Sequence, residues 1–339
     1  MSRRFIIHTG PAKTGTSSLQ EALFNNRQAL ARAGFHYPVL GRSDQMPRLP
    51  GHHGIPAVLK SGGALPEEFL DWAASLPQTN TIVLSSENLA HLSAAQIRQL
   101  AAQTCAEQVD VIYYARRWDR LLPSIWQELV KHGESRGYQE FLTTQTEAPR
   151  ASFYLNYALP LDRWADVFGQ QAIRLYSYDN ILASGGDIVT HFFQEVLAQD
   201  PPCKASGGRT NPRMATMETE MMRALNRMSF GQEQGNPGVR QKIVKGKCRI
   251  TRDMAVLSGL MQPFLRLCRP CAPIALHAVE DDLLQRYGSR IGNPASGGRL
   301  FEVSSFHPAE FCCADYLMIP EAGAALRRIH RALGLPSAV

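Results

Sequence analysis

Short apolar segments alternate with amphipathic segments along the first 200 residues of the chain. Four of the apolar segments are rich in Ile, Val, Leu or Tyr, as strands covered on both faces are. The segments between them repeat apolar residues every three or four positions, which predicts helices; the first of these ends at Gly34. The predicted strands are residues 4–9, 81–86, 110–115 and 172–178.

This alternation predicts an α/β fold. We expect an open, mostly parallel sheet flanked by helices, with ligands at the carboxyl ends of the strands. The core is predicted to span residues 1–200, with a long irregular segment at about 39–66 of the kind that often carries function. After a break at 199–213, residues 201–339 are predicted to form a mainly helical region.

Composition and charge narrow the choice of partner. The chain has 339 residues, 44% of them hydrophobic and 19% charged, which is enough for one or two globular domains. The net charge of +6 is spread out, without the dense Lys/Arg block of a nucleic-acid tail, so no nucleic-acid partner is predicted. This charge fits an anionic ligand as well as it fits general solubility.

The cysteines and the amino terminus suggest a cellular setting. Seven cysteines form no regular disulfide pattern. Cys268 and Cys271 form a C-x-x-C pair, but Cys312 and Cys313 are adjacent, whereas zinc knuckles space both pairs, and no histidine pair assists; free thiols and no metal are therefore expected. The first ten residues run directly into a motif, and no apolar run approaches the ~18 residues that a membrane span needs. A reducing, cytoplasmic location without a membrane span is therefore predicted.

The segment HTGPAKTGTSS, residues 8–18, joins the first strand to the first helix. Gly10 and Gly15 have the spacing of a nucleoside-triphosphate loop, G-x-x-x-x-G-K-[ST], but here Lys13 precedes the second glycine. A strand, a Gly-rich turn and a helix N-terminus present backbone N–H groups and the helix dipole to an anion. The residues predicted to bind a phosphate are Pro11, Ala12, Lys13, Thr14, Gly15, Thr16, Ser17 and Ser18.

A second phosphate site is predicted where the third strand ends. The segment YYARRWDRLLPS, residues 113–124, places Arg116 at the strand end and Ser124 eight residues later, inside the next helix. Arginine offers a planar pair of donors to phosphate oxygens, and serine adds a hydroxyl. Two phosphate sites on two strands indicate a nucleotide that is phosphorylated at two positions.

These motifs resemble those of the sulfotransferases that use 3′-phosphoadenosine 5′-phosphosulfate (PAPS). KTGTS matches the family's K-[ST]-G-[ST]-[ST], which binds the 5′-phosphosulfate, and RRWDRLLPS matches R-x-P-x-D-x-x-x-S in its first arginine and last serine, which bind the 3′-phosphate. The sequence lacks the proline after Arg117 and has Asp119 one residue early. The resemblance spans residues 4–197 and is greatest to the bacterial branch that modifies carbohydrates and cell-envelope molecules.

The resemblance implies transfer of a sulfuryl group from PAPS to an acceptor hydroxyl, on a carbohydrate or glycoconjugate, by in-line displacement without a metal ion. Lys13 would stabilise the leaving phosphate oxygen. Acceptor specificity is expected from the loop at about 39–66 and from residues 201–339. The identity of the acceptor and the oligomeric state are left open.

The acceptor hydroxyl also requires a base. The family uses histidine or glutamate; Glu87, in VLSSENL, matches the position of the histidine in small-molecule members, and it can equally be a helix-capping or ion-pairing carboxylate. His53, in GHHG, is the second candidate, since histidine suits base chemistry near neutral pH, or it is a surface loop residue. His52 and His36 remain open as further candidates.

Two other functions stay open at this point. A magnesium-dependent kinase or nucleoside triphosphatase with a shifted lysine is one; the position of Lys13, and Arg116 with Ser124, count against it. A non-catalytic nucleotide-binding protein is the other, and the presence of Lys13 counts against it. The basic stretch 239–249 is interpreted as a segment that closes over the 3′-phosphate, one that meets an acidic acceptor, or a solvated helix face.

Overall fold

The computed structural model describes residues 3–42, 49–202, 214–230, 238–268, 273–302 and 308–336. Residues 43–48 of the predicted loop, most of the predicted break at 199–213, and Cys271 lie outside these ranges. The strands are β1 (Arg3–Thr9), β2 (Phe35–His36), β3 (Thr81–Ser85), β4 (Ala106–Ala115), β5 (Ile173–Ser177), β6 (Leu265–Cys268) and β7 (Ala309–Cys312). The helices are α1 (Thr16–Asn25), α2 (Arg27–Arg32), α3 (Gly54–Lys60), α4 (Glu67–Ser75), α5 (Ala94–Thr104), α6 (Trp118–Lys131), α7 (Tyr138–Glu147), α8 (Ala158–Phe168), α9 (Tyr178–Ala183), α10 (Ile188–His191, continued by a π-turn over Phe192–Val196), α11 (Thr216–Phe230), α12 (Gly238–Met261), α13 (Pro273–Tyr287) and α14 (Pro320–Ala332).

A parallel sheet of five strands organises the first part of the described chain, in the order β2-β3-β1-β4-β5. β1 lies in the centre, with His8 opposite Ser85 of β3 and Thr9 opposite Tyr113 of β4. The chain leaves β1 towards β2 and β3 at one edge of the sheet, and it leaves β4 towards β5 at the other edge. The carboxyl ends of β1 and β4 therefore form a switch point, where ligands bind in open α/β sheets.

The sheet is covered on both faces, and the central residues of β1, β3 and β4 are apolar and buried. Ile6, Val83 and Ile112 face one hydrophobic cluster, to which α1, α9 and α10 contribute. On β4, the other face packs against α5 and α8. The predicted α/β class, with helices dominating the carboxyl-terminal part, is confirmed.

The four predicted strands are confirmed, but three elements differ from the prediction. β2 and the antiparallel pair β6–β7 were not predicted, because strands of two and four residues leave too short an apolar pattern. The first predicted helix is two helices, separated at Asn26. The segment expected to be irregular at 39–66 contains the helix α3, whose Ile55, Pro56 and Leu59 are buried.

The chain divides into two compact units that interleave along the sequence. Unit 1 comprises Met1–Arg117, Arg150–Asn211 and Leu276–Ser304; unit 2 comprises Trp118–Pro149, Pro212–Ala275 and Ser305–Val339. The units thus differ from the predicted division at residue 200. One reason is that the late segment returns to the sheet: Gly292 N donates to Leu175 O of β5 at 2.9 Å, and Asn293 bonds both backbone groups of Ser177.

Unit 2 consists mainly of helices α6, α7, α11, α12 and α14, with the β6–β7 pair. Its interior contains an ion pair between Arg223 and Glu220 of α11, at 2.6 Å, with both side chains only 1% exposed. Tyr316 donates to the same carboxylate, and Arg223 also donates to the carbonyl of Ser135. Losing one partner would leave a buried charge uncompensated, so this cluster specifies how α11 packs.

Candidate functional site

Residues 10–18, which are predicted to bind a phosphate and are called the phosphate loop for that reason, turn sharply between β1 and α1. Gly10, Lys13 and Gly15 all have positive φ, at 142°, 72° and 78°. A side chain with a Cβ is strained in the left-handed region, which Lys13 shares with Cys105 and Ala198 among the non-glycine residues of the described chain. The turn between β1 and α1 therefore holds Lys13 in a strained conformation.

Gly15 is required by both its backbone and its surroundings. It caps α1 in the left-handed conformation, and a Cβ at this position would lie 2.9 Å from Cγ2 of Ile188. Thr14 reinforces the turn by donating from Oγ1 to the carbonyl of Pro11 at 3.0 Å. Sterics therefore require glycine at position 15, and the bond from Thr14 stabilises the turn before it.

The start of α1 offers an anion its backbone donors. The first bond of the helix runs from Leu19 N to Gly15 O, so the N–H groups of Thr16, Ser17 and Ser18 lie ahead of the helical ladder. The cap residue Gly15 supplies no side-chain acceptor for them. A phosphate group fits this arrangement, because these donors and the helix dipole favour negative charge at the same point.

Arg116 links the two predicted phosphate motifs. Its Nη1 donates to the carbonyl of Lys13 at 2.5 Å, and its guanidinium lies 5.7 Å from the ring centre of Tyr178. Tyr157 holds the backbone of the arginine, with its hydroxyl donating to Arg116 O at 2.5 Å. Arg116 therefore stabilises the backbone of the loop that contains Lys13, at the switch point between β1 and β4.

The turn after β4 is anchored by a carboxylate from the next strand's end. Asp179, in the first turn of α9, accepts a 2.6 Å bond from the backbone N–H of Arg117. The side chains of Asp179 and Arg117 are both buried. This anchor fixes the direction in which the chain leaves the strand.

Ser124 lies in α6, in unit 2, whereas Lys13 and Arg116 lie in unit 1. Its hydroxyl donates to the carbonyl of Arg120, one turn earlier, at 2.9 Å. This is a common bond for a serine inside a helix. The pairing of Ser124 with Arg116 around one phosphate therefore stays a prediction.

Glu87 lies at the end of β3, beside the phosphate loop. It opens a short 3₁₀ helix, Glu87–His91, and its side chain is half-buried. Gln20 of α1 donates from Nε2 to Oε2 of Glu87 at 3.1 Å, and Gln20 itself is buried. The carboxylate is thus tied to the helix that begins at the phosphate loop.

Gly51 leaves room for the side chain of His53 beside Gln20, the residue that bonds Glu87. A Cβ at Gly51 would lie 2.6 Å from Oε1 of Gln20 and 2.7 Å from Nε2 of His53, so only glycine leaves room for both side chains. The other ring nitrogen of His53, Nδ1, is 2.9 Å from Oγ of Ser86. We call Gln20, Gly51, His53 and Glu87 the carboxylate–histidine cluster.

The remaining two histidine candidates have structural contacts. His52 accepts from Ser85 N at Nδ1, 3.0 Å away, and its Nε2 is 3.0 Å from Pro38 O, so both nitrogens are engaged. Burial lowers the pKa of His52 to about 4. His36 pairs with Ile82, near the start of β3, and its Nε2 is 2.7 Å from Asn80. It is therefore remote from the carboxyl edge of the sheet.

His8 is a buried polar residue whose environment the sequence did not predict. Its side chain is 0% exposed, and Nδ1 lies 2.7 Å from Oγ of Ser85, while the ring contacts Tyr114 and Phe192 edge-on. Burial lowers the pKa of His8 to about 3, so the ring is neutral. His8 thus belongs to the core beneath the phosphate loop.

The structure adds four residues to the site: Gln20, Tyr157, Tyr178 and Asp179. Gln20 could have been noticed in the sequence, because it is a polar residue beside Leu19 on α1 that interrupts the apolar face of the helix. The other three come from segments about 40 to 60 residues beyond Arg116, with nothing local to mark them. Their roles depend on the pairing of β4 with β5.

The cysteines and helices of the described ranges bear on the metal and membrane predictions. Cys268 and Cys312 are free thiols, and burial raises the pKa of Cys312 to about 12. Across the described ranges, no three His, Cys, Asp or Glu side chains gather as they would around a metal ion. None of the helices in those ranges has the length and apolar composition to cross a bilayer.

Comparisons with known proteins give distant similarities. No family model matches the sequence. An uncharacterized protein of Archaeoglobus fulgidus is 23% identical over 145 residues, which are 43% of this chain and 38% of that protein, so the chain spans well under half of the relative's length. A solved structure, a sulfotransferase from Alicyclobacillus acidocaldarius, aligns with 66% of this chain and 92% of its own, at 14% identity and a TM-score of 0.37. Function is therefore inferred from the geometry of the site.

Proposed function

We propose that this protein is a sulfotransferase that moves a sulfuryl group from PAPS to a hydroxyl of a carbohydrate or glycoconjugate. One observation carries the proposal: Lys13 is held in the left-handed conformation inside a strand–turn–helix loop, and Arg116 from the neighbouring strand bonds its carbonyl. Strain of this kind costs on the order of 1 kcal/mol and is found where function requires it.

The loop fits the 5′ end of such a nucleotide. When bound, PAPS supplies the activated sulfuryl group and departs as adenosine 3′,5′-bisphosphate. The N–H groups of Thr16, Ser17 and Ser18 would bind the 5′-phosphate, and the ammonium group of Lys13 would stabilise the charge that develops on the leaving oxygen. Arg116, with Ser124, would hold the 3′-phosphate.

The carboxylate–histidine cluster would receive the acceptor. Glu87 is the proposed base, because it ends the strand beside the loop and Gln20 fixes its carboxylate through Oε2. His53 is the second candidate, with Nδ1 facing Ser86 and Nε2 lying over Gly51. His52 is not proposed, because both its ring nitrogens are engaged with the backbone.

The test is a thermal-shift titration with adenosine 3′,5′-bisphosphate, beside ADP and ATP with and without magnesium. A ligand that binds only the folded state raises the melting temperature as it saturates the protein. The proposal predicts a shift with the bisphosphate that a chelator does not reduce. A shift only with the magnesium nucleotides would instead support the kinase or nucleoside triphosphatase, and the sulfotransferase would be rejected.

Substitutions locate the binding site. Arg116→Ala should weaken bisphosphate binding, both by removing a phosphate donor and by releasing the carbonyl of Lys13. The matched control is Arg98→Ala on α5, an exposed arginine that should leave the shift unchanged. Equal shifts from the Arg116 variant and the native protein would contradict the assignment of Arg116. Binding without turnover on any acceptor would indicate the non-catalytic alternative.

A further inference from the structure

Two helices of unit 2 hold the positive charge of this protein. α12 carries six basic residues and one acidic residue, and α14 carries three arginines and one glutamate. Since the whole chain has a net charge of +6, the rest of it has no positive excess. The net positive charge is therefore localised on two helices that pack together.

One side of α12 is buried and the basic side is not. Val239, Ile243, Gly246, Ile250 and Leu257 follow the spacing of a buried helical stripe. A Cβ at Gly246 would lie 2.5 Å from Leu333, which is how closely the helix packs there. The single acid of α12 is Asp253, and it pairs with Arg328 of α14 at 2.8 Å.

The basic face, defined as the exposed residues Arg240, Lys245, Lys247, Arg249 and Arg252, also contains apolar side chains. Val244 is 68% exposed and lies between basic residues of α12, and Val256, which is 44% exposed, lies one turn after Arg252. The apolar surface of a valine exposed to this extent stays in contact with water, so it contributes no hydrophobic stabilisation to the fold.

Other parts of unit 2 expose large apolar side chains as well. Leu267 of β6 is 70% exposed, beside the exposed Arg266, and Met318 is 85% exposed. With Val244, these are the three most exposed large hydrophobic residues of the described chain. Exposed apolar residues beside basic ones, as on α12 and at Leu267, are the composition of a surface that binds the interface of an anionic membrane.

We propose that unit 2 docks through the basic face of α12 on a membrane surface that contains anionic lipid. The basic side chains would contact lipid phosphates, and Val244 and Val256 would enter the headgroup region. A soluble polyanion is the rival partner, because it would satisfy the charges. A polyanion would leave Val244 and Val256 in water. An anionic lipid surface accounts for both the basic and the apolar side chains of the basic face.

The first experiment is sedimentation of the full chain with phosphatidylcholine vesicles, with and without phosphatidylglycerol. Binding should require the anionic lipid and weaken as salt increases. Lys245→Glu/Arg252→Glu should reduce binding at least thirtyfold, since each basic residue near such a surface contributes about 1 kcal/mol and each new carboxylate adds repulsion. Arg32→Glu/Arg98→Glu changes the charge by the same amount on exposed positions of α2 and α5, and should retain most of the binding. Unchanged melting temperatures would show that both variants fold.

The valines distinguish lipid from polyanion. Val244→Thr/Val256→Thr keeps the branched shape and removes apolar surface, so binding to anionic vesicles should fall several-fold while retention on heparin stays constant. If the double threonine variant binds vesicles as the native protein does, or if heparin binds and anionic vesicles do not, the lipid proposal is overturned.

Cys248 allows a direct observation of contact. It is an exposed free thiol on the same side of α12, and Cys105 in unit 1 is also exposed. The emission of an environment-sensitive fluorophore should shift to the blue with anionic vesicles in a variant that keeps only Cys248, with the other six cysteines changed to serine, and stay unchanged in a variant that keeps only Cys105. Equal spectra for the two proteins would mean that α12 does not meet the bilayer.

Discussion

The phosphate loop and the carboxylate–histidine cluster lie at the ends of neighbouring strands, but they are built differently. The loop places backbone N–H groups, within nine consecutive residues, around a turn that Gly10 and Gly15 permit. The cluster places side chains, from three segments, over a glycine that leaves room for them. Local sequence can encode the first kind of site, whereas the second exists only after the chain has folded.

The largest effect is expected in the cluster. Glu87→Gln keeps the size of the side chain and removes the proton acceptor, so turnover should fall about a thousandfold. The measurement is release of adenosine 3′,5′-bisphosphate from PAPS with the best acceptor from a panel of hydroxyl compounds. Bisphosphate binding should not change. If His53→Gln lowers turnover more than Glu87→Gln does, the base is the histidine.

Stability should depend on pH through one buried histidine under each region, His8 and His52. Their pKa values lie at about 3 and about 4 in the folded protein, against an ordinary value of 6.5. Below pH 6.5 the unfolded chain binds protons that the folded chain does not, so the free energy of unfolding falls as the pH falls towards 4. By pH 5 the loss is roughly 2 kcal/mol for each histidine.

Denaturant unfolding at a series of pH values measures this dependence. His8→Asn places a polar nitrogen or oxygen near the former Nδ1 without a titrating ring, and should make the slope shallower between pH 6.5 and pH 5. A slope equal to that of the native protein would show that His8 does not contribute.

In the phosphate loop, the side chain of Lys13 should matter to the reaction more than to binding. Lys13→Met retains the length and removes the charge, so turnover should fall about a hundredfold, with a smaller change in bisphosphate affinity. Steady-state kinetics and the thermal-shift titration together measure the two effects. An equal loss in both would mean that Lys13 binds the nucleotide without a specific effect on the transition state.

Two glycine substitutions separate the regions most directly. Gly15→Ala forces a Cβ to a φ of 78° and to 2.9 Å from Ile188, so the protein should lose about 2 kcal/mol of stability and much of its bisphosphate affinity. Thermal unfolding and ligand titration measure both losses. Retained affinity would show that the backbone of the loop is not the anion site.

Gly51→Ala should have the smallest effect, and on the other region. The Cβ would lie 2.6 Å from Oε1 of Gln20 and 2.7 Å from Nε2 of His53, so the ends of both side chains must leave their present positions. Turnover should therefore fall about tenfold while bisphosphate affinity is retained. A variant that loses affinity and turnover together would mean that the two regions act as one.

Strand composition allowed most of the fold to be predicted. β1, β3, β4 and β5 were predicted because strands buried on both faces are rich in Ile, Val, Leu and Tyr. β2 was missed, since two residues cannot establish a period. The interleaving of the units was missed as well, because Asn293 meets Ser177 across 116 residues and no local pattern records such a contact.

The sequence by itself determined the parallel α/β fold and the phosphate loop, because both follow from apolar runs and glycine spacing over a few consecutive residues. Only the tertiary structure decided which polar side chains share the carboxyl edge of the sheet. It joined Gln20 to Glu87 and Arg116 to the carbonyl of Lys13, and it gave neighbours His52 and His53 different surroundings. The physical reason is that a backbone turn is fixed by local sterics, whereas the environment of a side chain depends on strands that are distant in sequence.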